Sequence, residues 1–142
     1  MHCFLRLLQN KGKLGFLVTQ NIDDIEKHVG INKVSQAHGS YSTAIRCVSC
    51  GRKMKHFLTA YAASVDDAVL HCEMCGSVAK PGIVFFGENL TVDLTEYGKE
   101  LAASDLLLVA GTSLKVAPVS RIPEEALAHG KNAILFNNER VG

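Results

Sequence analysis

Residues Phe16 to Gly39 read FLVTQNIDDIEKHVGINKVSQAHG. The stretch opens on a short apolar run, Phe16-Leu17-Val18, the pattern of a strand buried on both faces, and then releases a polar cluster of Thr19, Gln20, Asn21 and Asp23. Asp23 or Asn21 can cap the helix that follows, with Glu26 in capping-box position three residues after Asp23, and Gly30 closes it. A second strand over Lys33–Ala37 delivers His38-Gly39. Two strands that each release polar side chains at their carboxyl ends describe the crevice of an open α/β active site.

Outward from this stretch the same texture recurs. Upstream, Phe4, Leu5, Leu7 and Leu8 have helical spacing that stops at Lys11-Gly12. Downstream, Gly82 to Phe86 predicts a strand ending at Gly87-Glu88, and Tyr97 to Ala103 a helix. Asp105 to Ala110 (DLLLVA) is the clearest buried strand and ends at Gly111-Thr112-Ser113. Pro123 fits the first turn of a helix reaching His129, closed by Gly130, and Ala133 to Phe136 is a last strand ending at Asn137-Asn138-Glu139. Strands alternating with helices predict an α/β fold with a mostly parallel sheet, in which five strand ends line one polar, glycine-rich cleft.

Between Arg46 and Lys80 the pattern changes. Cys47-x-x-Cys50 and Cys72-x-x-Cys75 are separated by 21 residues, just past the usual zinc-ribbon interval, around a predicted short helix at Phe57–Ala63. Two CxxC knuckles can complete a tetrahedral Cys₄ shell, which leaves no open position for water, so the implied Zn²⁺ is structural. Two redox pairs or unrelated thiols are the alternative, and His56 and His71 are substitute ligands. Cys3 is expected to be a small buried hydrophobe.

Composition bounds these readings. A chain of 142 residues suits one domain, and 47% hydrophobic with 20% charged residues describes an ordinary globular protein. A net charge of +1 makes no electrostatic case for direct nucleic-acid or membrane binding. No apolar run approaches the ~20 residues of a membrane span, and the N-terminus lacks a signal-peptide pattern. Four of five cysteines in CxxC pairs favour a reducing compartment.

Taken together, TQNID at Thr19–Asp23, AHG at Ala37–Gly39, the paired CxxC, KPGIVFFGE at Lys80–Glu88, GTSLKVAP at Gly111–Pro118 and the closing NNE resemble the sirtuins, NAD-dependent protein deacylases, in order and spacing. QAHGSY and CVSC look most like the class I branch. The resemblance implies a partial Rossmann-like NAD-binding domain (1–45 and 81–142) with an inserted zinc-binding module (46–80). It implies a protein lysine deacetylase that passes the acyl group to ADP-ribose and releases nicotinamide.

Position by position, the resemblance makes His38 the general base, and an imidazole suits that role because it changes charge near neutral pH. Gln20, Asn21, Ile22 and Asp23 line the nicotinamide and ribose pocket, although Asp23 is equally good as a helix cap. Gly111, Thr112 and Ser113 form the nucleotide-binding block, where hydroxyls and amides near a helix start suit ribose or phosphate oxygens. Asn137, Asn138 and Glu139 face the adenosine ribose. Val84, Phe85, Phe86 and Gly87 form the edge that an acyl-lysine peptide joins as an added strand, with at least one phenylalanine in the core. The implied partners are acetylated proteins such as histones, in the nucleus or cytoplasm; oligomeric state is left open.

No G-x-G-x-x-G occurs in the sequence, so the family's first strand and glycine-rich phosphate loop have no counterpart in it. Three other functions follow from the same residues: an inactive zinc-stabilised binding module, a mono-ADP-ribosyltransferase, and a nucleic-acid-binding zinc ribbon, against which the near-neutral charge argues.

Overall fold

The computed structural model describes residues 1–54, 69–90 and 94–141, which group into two compact units. The helix expected at Phe57–Ala63, and His56, lie outside the described residues. The elements in order are α1 (His2–Asn10), β1 (Leu17–Thr19), α2 (Ile25–His28), β2 (Val34–Gln36), β3 (Ile45–Cys47), β4 (Lys53–Met54), β5 (Ala79–Lys80), α3 (Leu94–Ala103), β6 (Leu106–Ala110), a 3₁₀ turn (Val119–Arg121), α4 (Ile122–Ala128) and β7 (Asn132–Phe136).

β1 and β2 form a two-stranded sheet. Leu17 N–H donates to the Lys33 carbonyl and Ala37 N–H to the Thr19 carbonyl, each at 2.9 Å. The partners advance together along both strands, so the pair is parallel. Both strands lead toward the polar residues expected at their ends.

The first unit comprises residues 1–18, 29–35 and 93–142. Its core is Tyr97, Leu101 and Ala126, with Phe16, Val18, Leu107 and Ile122 packed on it. α1 is tied to the turn after α2, because Gln9 Nε2 donates to the Gly30 carbonyl at 3.1 Å, Arg6 Nη1 donates to the same oxygen, and Asn32 N–H donates to Gln9 Oε1 at 2.8 Å. β6 and β7 pair in parallel, register Leu106 with Asn132 through Ala110 with Phe136. Pro123 lies in the first turn of α4, where its missing N–H costs nothing.

The second unit comprises residues 19–28 and 36–92. A three-stranded antiparallel sheet in the order β4-β3-β5 packs Ile45 and Ala79 against Met54 and Leu70.

Four expectations are corrected. DLLLVA is not a buried strand: Leu106 is 43% exposed and β7 is exposed along its whole length, because the two strands pair only with each other among the described residues. Cys3 is exposed, since α1 buries none of its residues. Gly82 to Phe86 is not a strand; among the described residues its pairing is one antiparallel bridge, Gly39 with Ile83. Neither Phe85 nor Phe86 is in the core, at 48% and 100% exposed, because the chain turns over residues 86–88 instead of running under a helix.

Candidate functional site

The carboxyl end of β1 and the segment after β2 are laced together residue by residue. His38 Nδ1 lies 3.0 Å from the Gln20 carbonyl, Tyr41 N–H donates to the Ile22 carbonyl at 3.2 Å, and Ser42 N–H donates to Asp24 Oδ2 at 3.2 Å. A carbonyl oxygen only accepts, so His38 Nδ1 carries the hydrogen and a neutral ring keeps its lone pair on Nε2. His38 is half-buried and Gln20 likewise, whereas Asn21 and Asp23 are exposed. Asn21 N–H donates to Thr19 Oγ1 at 3.2 Å, and Asp23 Oδ1 accepts the first helical amide, Ile25 N–H, also at 3.2 Å. Asp23 thus forms a local turn onto the first amide of α2, while the Asp24 carbonyl accepts the first helical bond, from His28 N–H.

Beneath these residues sits Asp24, which sequence alone did not single out. It is 4% exposed and adopts φ 61, a conformation that favours glycine. Oδ1 accepts from Gln36 Nε2 at 2.8 Å and pairs with Lys27 Nζ at 3.1 Å. Burial disfavours its charge, but the hydrogen bonds from Gln36, Ser42, Lys27 and Ser40 outweigh that and hold its carboxyl well below the usual carboxylate range. Ser40, fully buried, bonds Ser42 Oγ at 3.0 Å and Thr43 Oγ1 at 3.1 Å.

The AHG turn packs directly on the segment around residue 83. Gly39 has φ 71, and a Cβ there would overlap the Gly82 carbonyl oxygen, so only glycine fits. Val84 N–H donates to the His38 carbonyl at 2.8 Å. Phe85, Phe86 and Gly87 follow at the surface, Gly87 with φ 89.

In the other unit, the ends of β6 and β7 meet. Gly111 N–H donates to the Phe136 carbonyl at 3.0 Å, and the Asn137 side-chain amide spans the carbonyls of Thr112 (3.2 Å) and Glu139 (3.1 Å). Gly111 has φ 60 with open space where a Cβ would be. Ser113, Asn138 and Glu139 are exposed. The helix start expected beside this block is displaced: Thr112 Oγ1 accepts Leu114 N–H at 3.1 Å and closes a local turn, and helical structure begins only at Val119.

Cys47, Cys50, Cys72 and Cys75 bring their sulfurs within 4.8 Å of one another. Cys47 to Cys75 is 3.5 Å and Cys50 to Cys72 is 3.8 Å. A tetrahedral ion with Zn–S bonds of about 2.3 Å requires sulfurs about 3.8 Å apart, so the set fits one zinc ion. Each knuckle closes on a left-handed glycine, Gly51 (φ 71) and Gly76 (φ 70), whose amides return to the Cys47 and Cys72 carbonyls. Cys75 is pulled down to about 6 by the backbone amide and hydroxyl of Ser77. Cys50, although the Arg52 amide lowers it, is pushed up to about 11 by the surrounding sulfurs. The sulfurs oppose one another's ionisation, and a cation at their centre would relieve that opposition. His71 is no ligand here; its Nδ1 lies 2.9 Å from the Gly76 carbonyl.

The family model described as the Sir2 family matches residues 1–118. The chain belongs to the Sir2 family. Among curated members of that family, the NAD-dependent protein deacetylase sirtuin-3 of Mus musculus is 41% identical over 143 residues, covering 99% of this chain and 42% of its own length. NAD-dependent protein deacetylase 2 of Geobacillus kaustophilus is 42% identical over 86% of this chain and 47% of its own length. The chain therefore spans less than half the length of these relatives. Among solved structures, a Sir2 complex with p53 peptide and NAD⁺ superposes at a TM-score of 0.88 with 32% identity, over 99% of this chain and 58% of that one. A Sir2 complex with EX-527, 2′-O-acetyl-ADP-ribose and deacetylated p53 peptide superposes at 0.86 with 32% identity. The fold is the Rossmann-like α/β fold of these Sir2 structures, and the four cysteines form its candidate zinc centre.

Proposed function

We propose that the protein is an NAD-dependent protein lysine deacetylase. The observation that carries this is the bridge between His38-Gly39 and Ile83-Val84, which sets an imidazole with its lone pair on Nε2 beside an exposed segment suited to receive a peptide. Nicotinamide-bearing NAD, when bound, supplies a ribose carbon whose bond to nicotinamide can be exchanged for one to the acyl oxygen. His38 Nε2 takes the proton of a ribose hydroxyl, and the Gln20 carbonyl holds the ring in the tautomer that can do so. Val84, Phe85, Phe86 and Gly87 lay the acyl-lysine peptide alongside by backbone pairing.

Gln20, Asn21, Ile22 and Asp23 would contact the nicotinamide end of NAD. Gly111, Thr112 and Ser113 would contact its ribose and phosphate oxygens, with Asn137, Asn138 and Glu139 offering amides and a carboxylate to the adenosine ribose hydroxyls. Cys47, Cys50, Cys72 and Cys75 would hold Zn²⁺ with no open position, so the metal takes no part in proton transfer. Acetylated proteins, histones among them, are the proposed substrates. A thiol cluster without disulfides suits an intracellular compartment, nucleus or cytoplasm.

Nicotinamide release should require NAD and an acetyl-lysine peptide together, and the full deacetylation cycle should fall about 100-fold or more in His38→Ala, the usual range for a general base. Deacetylation that survives His38→Ala unchanged would remove His38 from this role.

A further inference from the structure

β5 ends at Lys80, and three interactions meet on its ammonium group. Nζ donates to the Ile83 carbonyl at 2.6 Å and to Glu88 Oε2 at 2.6 Å, and it lies 4.3 Å from the centroid of the Phe85 ring. The same Glu88 oxygen accepts the Phe85 N–H at 2.8 Å. The Lys80 side chain is 20% exposed, against 40% for Glu88. An isolated surface ion pair contributes little, but this one shares its acceptor with a backbone amide and covers an aromatic face. The ion pair thus fixes the same carboxylate oxygen that receives the Phe85 amide. The residues it encloses belong to no helix or strand; among the described residues, what else orders them is the bridge to Gly39, the Val84 bond to His38 and the turn in which Glu88 N–H donates to the Phe85 carbonyl at 3.0 Å.

We propose that Lys80 is a positioning residue whose ammonium, paired with Glu88 and stacked on Phe85, holds residues 83–88 in the shape that receives the acyl-lysine peptide beside His38. The proposal rests on the assignment of Val84 to Gly87 to peptide binding. It separates the two substrates: Lys80 acts on the peptide segment, so its loss raises the peptide KM and leaves the NAD KM in place.

The test compares Lys80→Met, which keeps the aliphatic stem, with Lys80→Arg, which keeps charge, pairing and stacking. A fluorescein-labelled acetyl-lysine peptide gives affinity by anisotropy, steady-state kinetics give both KM values, and hydrogen exchange follows the Phe85 amide. Lys80→Met is expected to weaken peptide affinity about tenfold and speed Phe85 exchange, with the NAD KM within about twofold, and Lys80→Arg to recover most of the affinity. Should Lys80→Met fail to fold, Glu88→Gln removes the ion pair while leaving the bond from Lys80 to Ile83, and the same split is expected. Peptide affinity and Phe85 exchange unchanged in these variants would overturn the role of Lys80 while leaving the deacetylase assignment standing. A wild-type protein that binds no acetyl-lysine peptide would overturn both.

Discussion

Asp24 is the residue on which the loops around His38 converge, and it makes them acid-sensitive. Its folded carboxyl is held well below the usual range, so the unfolded chain binds the proton first as pH falls. The stability it contributes is fully present above the ordinary carboxylate pKa of about 4 and is lost progressively below it. Asp24→Asn should therefore cost about 1–3 kcal/mol at pH 7, and the difference should begin to narrow only below about pH 4 and go on narrowing as far into acid as the fold survives. Urea unfolding of both proteins across that interval checks the sign; parallel stability curves would contradict it. Gly39 makes a second residue-scale prediction. Its φ of 71 and the Gly82 carbonyl leave no room for a methyl group. Gly39→Ala should cost at least about 2 kcal/mol from backbone strain and overlap together. A melting temperature equal to wild type would show that the turn is not packed as described.

At the scale of elements, the sheet β4-β3-β5 brings both cysteine knuckles together, Cys47 on β3 pairing with Ala79 on β5. Lys80 directly follows Ala79, so the metal centre and the proposed peptide segment share one strand. One zinc per chain is expected by atomic absorption, and chelation or Cys72→Ser should unfold this unit, because structural zinc contributes folding free energy directly. A native circular-dichroism spectrum after complete zinc removal would show that the ion is dispensable.

The knuckles were legible because CxxC reports local geometry: two sulfurs three residues apart turn to one side whatever surrounds them. The strands β1, β2, β6 and β7 and helix α4 were legible from apolar runs with polar or glycine ends. Residues 82–86 misled because their apolar run matches a strand, yet their backbone groups bond to a lysine, a carboxylate and the His38 carbonyl. Those partners are set by tertiary structure, and no window along the chain contains them all. Asp24 was passed over for the same reason: beside Asp23 it looks like one more helix cap, and its partners lie 12 and 18 residues away.

For the whole molecule, residues 19–28 and 36–92 contain His38, the peptide segment and the metal centre, while 93–142 contain the β6 and β7 ends proposed for the nucleotide. β7 exposes Ile134, Leu135 and Phe136 at 44–51%, although a parallel strand is ordinarily covered on both faces. That departure explains why an apolar run as clear as DLLLVA predicted burial that its surroundings do not provide.

The account turns on where the acetyl group goes. The purified protein, given NAD and a peptide carrying isotope-labelled acetyl-lysine, can be followed by mass spectrometry of both the peptide and the nucleotide. The predicted result is free lysine on the peptide and the labelled acetyl group on ADP-ribose, with one nicotinamide released per acetyl transferred. ADP-ribose attached to protein, or an acetyl-lysine left intact while NAD is consumed, would contradict it.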